Sequence, residues 1–163
     1  MTQRTIVLDA NILIRAVLGE RVRQLITEHA ADVSFFAPDT AYAEAREHLP
    51  PLLEKRGVSG AVALAALAAL EIVVRPIDAE LYQPLEQQAL ARISERDPDD
   101  WPALACALML NCPVWTEDAD FFGTGVATWT TSRVKLYLEP DAPAGTAEHP
   151  DAANEGSFSR RLR

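Results

Sequence analysis

Carboxylates fall at the points of this 163-residue chain where a parallel sheet would present them to a ligand. Asp9 ends the apolar run Thr5-Ile6-Val7-Leu8, and Glu117-Asp118-Ala119-Asp120 follows a second such run, Val114-Trp115-Thr116. Asp97, Asp99 and Asp100 crowd the approach to the helical pattern WPALACALML, and Glu44 lies inside PDTAYAEAREHL. Ligands of open parallel sheets bind at the carboxyl ends of the strands. Acids gathered there raise one another's pKa unless a hard cation is present. A donor set made only of oxygen selects Mg2+ or Mn2+ over zinc or copper. Each acid also has a bland reading. Asp9 can cap the helix starting near Asn11, and the aspartates before Trp101 can serve as caps or helix-dipole partners. Glu44 can be the solvated edge of the stripe Tyr42, Ala45, Leu49, with Glu47 on its far side. One cap needs only one aspartate, however, and three within four residues repel each other.

These acids need elements to position them. Short β-branched runs predict strands at 5–8, 33–37, 71–75, 113–116 and 127–130. Helical patterns occupy 11–18, 21–31, 39–48, 51–56, 59–70, 78–94, 100–111 and 132–138, with Asp39 and Ser59 as N-caps. Pro50-Pro51 is expected to break the third helix, because neither proline donates a backbone hydrogen bond. Strands alternating with helices imply right-handed parallel crossovers, hence a three-layer α/β/α domain with a central, mainly parallel sheet of about five strands. Asp9, Asp100 and Asp118 then share the strand-end rim of that sheet.

A formal net charge of −9 argues against a basic nucleic-acid surface, unless the acids surround bound cations that invert the local sign. No apolar run is long enough to span a membrane. MTQRT leads directly into a strand and is no signal peptide. Cys106 and Cys112 are too few for a disulfide scaffold or thiolate zinc site, so reduced thiols and a cytoplasmic setting are expected. His29, His48 and His149 are all expected at the surface. From residue 139 the chain turns to Pro, Ala, Gly and acidic residues, which predicts a disordered tail over 139–163 after a domain over 1–138. Arg15, Arg21, Arg23 and Arg46 offer a phosphate rim, although charged helix faces are usually just solvated.

Taken together, VLDANILI (7–14), Glu44, DPDDWPALACAL (97–108) and VWTEDADFF (114–122) resemble the PIN-domain ribonucleases, in particular the VapC-type toxins of toxin–antitoxin pairs. The resemblance covers roughly residues 4–138. It implies that Asp9, Glu44, Asp100 and Asp118 form an acidic quartet holding one or two Mg2+ or Mn2+ ions, with Asp120 and Asp97 as further ligands. Asp100 is chosen from its cluster because Ala105 and Ala107 stand at the offsets of the family helix. Asn11 and Thr116 match supporting polar positions. The implied activity is hydrolysis of RNA phosphodiesters, leaving a 5′-phosphate and a 3′-hydroxyl. The implied partners are RNA, a small antitoxin protein that covers the groove, and a second copy of the chain. Two rival readings are a non-catalytic PIN-like interaction module and an Asp-dependent phosphoryl-transfer enzyme. The second wants an acid where Asn11 stands, or a late lysine at a strand end, and the lysines are Lys55 and Lys135.

Overall fold

The structure, a computed structural model, describes residues 3–140. Five strands form one sheet in the order β3-β2-β1-β4-β5, and every neighbouring pair is parallel. They are β1 (Arg4–Leu8), β2 (Val33–Pro38), β3 (Val74–Ile77), β4 (Val114–Trp115) and β5 (Thr128–Trp129). Central β1 alternates its side chains between two cores, as the two-residue period of a strand requires. Ile6 and Leu8 pack with α1 (Ala10–Leu18), α2 (Glu20–His29), α3 (Asp39–Glu54) and α4 (Gly60–Leu70) on one face. Val7 packs on the other face with α5 (Ala79–Tyr82), α6 (Glu86–Ile93) and α7 (Trp101–Leu110). The short α8 (Lys135–Leu138) returns to the first face, where Leu138 is buried. The expected three-layer α/β/α architecture is therefore present, with an all-parallel sheet.

Helix α7 is buried from Pro102 through Ala107, because it lies between the sheet and α5–α6. Its small residues, Ala103, Ala105 and Ala107, let it approach β1 closely. This seats its N-terminus, and Asp100 before it, beside the end of β1.

Several expectations need correction. Helix α3 runs without interruption through Pro50 and Pro51. The carbonyls that lose partners belong to exposed Arg46 and Glu47, where water can satisfy them. Buried Leu49 holds the helix to the core across the prolines. The third strand is displaced from 71–75 to Val74–Ile77, since the turn that ends α4 consumes residues 71–73 and leaves Ile72 82% exposed. Pro76 is tolerated in it because β3 pairs on one side only. The helix expected over 78–94 is divided into α5, a 3-10 turn at Gln83–Leu85 and α6, with Pro84 in that turn. Asp39 is the first residue of α3, not its cap; its oxygens accept the Thr40 amide, the Ala79 amide and the Tyr82 hydroxyl, tying β3–α5 to α3. Ser59 does cap α4, accepting the Ala61 amide at 3.3 Å.

His29 is buried, contrary to expectation. Its Nδ1 lies 2.7 Å from the Leu25 carbonyl, and its Nε2 lies 2.7 Å from the Glu139 carboxylate. His48 is exposed as expected. His149 lies outside the described residues, as does all of the expected tail except Glu139 and Pro140.

Candidate metal centre

Asp9 directly follows β1 and caps α1. Its Oδ1 accepts the Ile12 amide at 3.1 Å, as a cap should. Its Oδ2 accepts a short hydrogen bond from the Thr116 hydroxyl. Asp9 is only 6% exposed, and burial lifts its pKa to about 6 against the opposing pull of those two donors. The negative charges of Asp118 and Glu44 push in the same direction as burial. Both the cap reading and a place in the acidic centre are thus compatible with one geometry.

Thr116 is fully buried at the end of β4, where its amide donates to the Trp129 carbonyl at 3.0 Å. Its hydroxyl donates to Asp9 and accepts the Asp118 amide at 2.9 Å. The turn from β4 is thereby stitched to the end of β1. Asp118 Oδ1 in turn accepts the Asp120 amide at 2.9 Å. Thr116→Val would strand both Asp9 Oδ2 and the Asp118 amide. Each buried group without a partner costs about 1–3 kcal/mol, so urea melts should show a loss of that order. Asp9 should also hold its proton to a higher pH.

Asp97, Asp100, Asp118 and Asp120 converge so that one oxygen from each lies within 4.8 Å of the others. Among the described residues this is the one such gathering of His, Cys, Asp or Glu side chains. Two segments supply it. Asp97 caps the 3-10 turn Pro98–Asp100 by accepting the Asp99 amide at 3.1 Å, and Asp100 leads into α7. Asp118 caps the 3-10 turn Ala119–Phe121 in the loop after β4. Burial raises the Asp100 pKa to about 8, reinforced by the charges of Asp97, Asp118 and Asp9. Asp100 Oδ2 is buried and has no hydrogen-bond partner. A buried carboxylate oxygen left unpaired among like charges is costly, and either a proton or a bound cation would relieve it.

The expected site residues therefore divide. The structure gathers Asp97, Asp100, Asp118 and Asp120, and it places Asp9 at their side, close enough for its charge to act on Asp100. Glu44 is outside the gathering, with a side chain 59% exposed and its carboxylate 3.9 Å from His48. Asn11 is exposed on the first turn of α1. Of the arginines considered for a phosphate rim, Arg46 is paired to Glu71 at 2.7 Å. All-oxygen donors and an orphaned buried carboxylate oxygen fit Mg2+ or Mn2+. Sequence reasoning passed over Arg92 and Arg96, which close over the loop carrying Asp118 and Asp120. The available signal was Gly123-Thr124-Gly125, whose glycines mark a loop with special backbone requirements.

A family model described as PIN domain matches residues 7–139. No protein of curated function matches the sequence. Solved structures similar in fold include VapBC2 from Rickettsia felis bound to a DNA fragment from its promoter, at 15% identity and a TM-score of 0.55, covering 77% of this chain and 98% of that one. VapBC-1 from nontypeable Haemophilus influenzae aligns at 17% identity and a TM-score of 0.56, covering 79% and 99% of the two chains. FitAB bound to an IR36 DNA fragment aligns at 21% identity and a TM-score of 0.53, covering 77% and 94%.

Proposed function

The chain belongs to the PIN-domain family, and on that premise we propose that it is a Mg2+- or Mn2+-dependent endoribonuclease, the toxin of a toxin–antitoxin pair. The observation that carries this reading is the convergence of Asp97, Asp100, Asp118 and Asp120, with buried Asp100 Oδ2 unpartnered. Asp9, Asp100 and Asp118 would hold the ion, with Asp97 and Asp120 completing the oxygen shell and Glu44 at its outer edge. The chemistry such an ion would supply is activation of water and neutralisation of the leaving oxygen of the phosphodiester. The protein's part is placement. Thr116 fixes which Asp9 oxygen stays engaged, the α1 amide of Ile12 fixes the other, and α7 aims Asp100 at the rim. The activity is assigned to residues 1–138.

The similar structures are toxin–antitoxin complexes by their own descriptions, VapBC and FitAB. A protein partner for this chain is supported by its surface. Helix α4 carries no charged residue, and Val62 and Leu64 are 58% and 41% exposed. A largely apolar groove beside it is lined by Val17, Ile26, Ala66, Leu70 and Val73, together with Arg23 and Thr27. An antitoxin segment there, and a homodimer, belong to the proposal. Among the described residues no helix is long and apolar enough to cross a membrane.

The test is incubation of the purified chain with a mixed RNA pool, with Mg2+, with Mn2+ and with chelator. Cleavage in the metal arms only, with 5′-phosphate and 3′-hydroxyl ends, is the expected result. Metal binding with no cleavage of any RNA, antitoxin absent, would favour the non-catalytic interaction module.

A further inference from the structure

Asp118 and Asp120 stand on a loop that reaches from the end of β4 to Val126. Its inner side is anchored by Phe121, fully buried, and by Thr124, whose hydroxyl donates to the Phe121 carbonyl at 2.7 Å. Its outer side is covered by two arginines. Arg92, in the last turn of α6, donates from Nη1 to the Thr124 carbonyl at 2.9 Å. Arg96, in the turn directly before Asp97, donates from Nη1 to the Asp120 carbonyl at 3.3 Å. Gly123 and Gly125 both have positive φ, +86° and +84°. A Cβ on Gly123 would stand 3.0 Å from Arg96 Nη2, and one on Gly125 only 2.6 Å from Arg92 Nη1. The two glycines are therefore the places where the guanidinium groups come down onto the backbone.

Arg96 joins the two halves of the acidic centre. Its own backbone continues into Asp97 and Asp100, and its side chain grips the backbone of Asp120. Four carboxylates held this close repel one another, which would drive the two segments apart without a tie. Among the described residues neither arginine forms an ion pair with an acidic side chain; both spend their donors on loop carbonyls. We propose that Arg92 and Arg96 are positioning residues, a two-point clamp that holds Asp118 and Asp120 against Asp97 and Asp100. The assignment rests on the metal-centre reading above.

The experiment uses the full chain, free of metal, with Mn2+ as the probe. Mn2+ affinity is read from the electron paramagnetic resonance of the free ion, and loop order from amide hydrogen exchange at Asp120–Phe122. Arg92→Ala combined with Arg96→Ala should weaken Mn2+ binding about 10–100-fold, the range seen when groups supporting metal ligands are lost. The loop amides should exchange at least about tenfold faster, whereas those of central β1 keep their protection. Each single alanine variant should shift both readouts in the same direction by less, so the test does not hang on the double variant folding. Arg96→Lys should recover part of the affinity, and Arg75→Ala, on β3 at the far edge of the sheet, should change neither readout. Unchanged Mn2+ affinity in the double variant overturns the clamp, even if the loop exchanges faster, since the arginines would then be structural only. A wild-type chain that binds no Mn2+ overturns the metal reading and this assignment together, and so marks a different failure.

Discussion

Asp100→Asn is expected to cut metal-dependent cleavage by more than about a hundredfold and, in the same protein, to raise the melting temperature of the metal-free chain. The two effects share one cause. Asp100 carries an unpartnered buried oxygen, and its carboxyl is pushed up to about 8 by burial and by Asp97, Asp118 and Asp9. The asparagine side chain has nearly the same shape and removes the charge. Its amide can donate to a neighbouring aspartate at any pH, whereas the carboxyl does so only while it keeps its proton. Loss of a direct ligand should exceed the 10–100-fold typical of groups behind a ligand. Relief of about 1 kcal/mol would raise the melting temperature by roughly 2–4 °C in a domain of this size. Asp32→Asn is the control: Asp32 is exposed and precedes β2, at the opposite end of the sheet from the acids. Calorimetry at pH 8 in chelator, beside the RNA assay, checks both halves. A variant that melts lower and still cleaves would remove Asp100 from the centre.

The parts of this arrangement legible in the sequence were those with a local signature. A strand's apolar run closing on an acid marks a ligand end, so Asp9 and Asp118 could be placed on the rim without coordinates. The small residues after Asp100 marked a helix that packs tightly, and α7 is buried from Pro102 to Ala107. Long-range contacts were not legible. Nothing near His29 announces that its imidazole meets Glu139, 110 residues later. Nothing in Arg92 or Arg96 announces that their donors end on carbonyls 32 and 24 residues away. Local rules also misled where tertiary contacts outweigh them. Two adjacent prolines normally end a helix, but buried Leu49 holds α3 to the core and Arg46 and Glu47, whose carbonyls lose their partners, are exposed residues. The run Ile72-Val73-Val74 looks like a strand, yet its first two residues complete the turn from α4 and only Val74 joins the sheet. Within the acidic set, spacing alone could not rank Asp97 and Asp120 against Glu44. That ranking depends on how two loops fold toward each other, which only the assembled sheet determines.

Stabilisation by added metal should grow with pH, against the falling stability of the metal-free chain. Asp9 and Asp100 hold their protons in the folded chain up to about pH 6 and about pH 8, whereas an unfolded aspartate releases its proton near pH 4. Between about pH 4 and pH 8 the folded state therefore binds more protons than the unfolded one. Stability of the metal-free protein falls with rising pH across that window and levels off above it. The contribution of these two groups is fully present below pH 4 and lost as pH rises through 6 and then 8. A divalent cation competes with those protons for the same oxygens, so its effect has the opposite sign. At pH 5 the ion must displace protons and stabilises little; at pH 8 it meets ionised carboxylates and stabilises most. An ion at a hundred times its dissociation constant adds about 2.7 kcal/mol, several degrees in a chain of this length. Thermal melts at pH 5, 6.5 and 8, each with Mn2+ and with chelator, read the whole relation. The expected pattern is a gap between the two curves that widens with pH, and that closes in the Asp100→Asn protein. A gap that is constant with pH would mean that the ion binds elsewhere, away from the carboxylates that hold these protons.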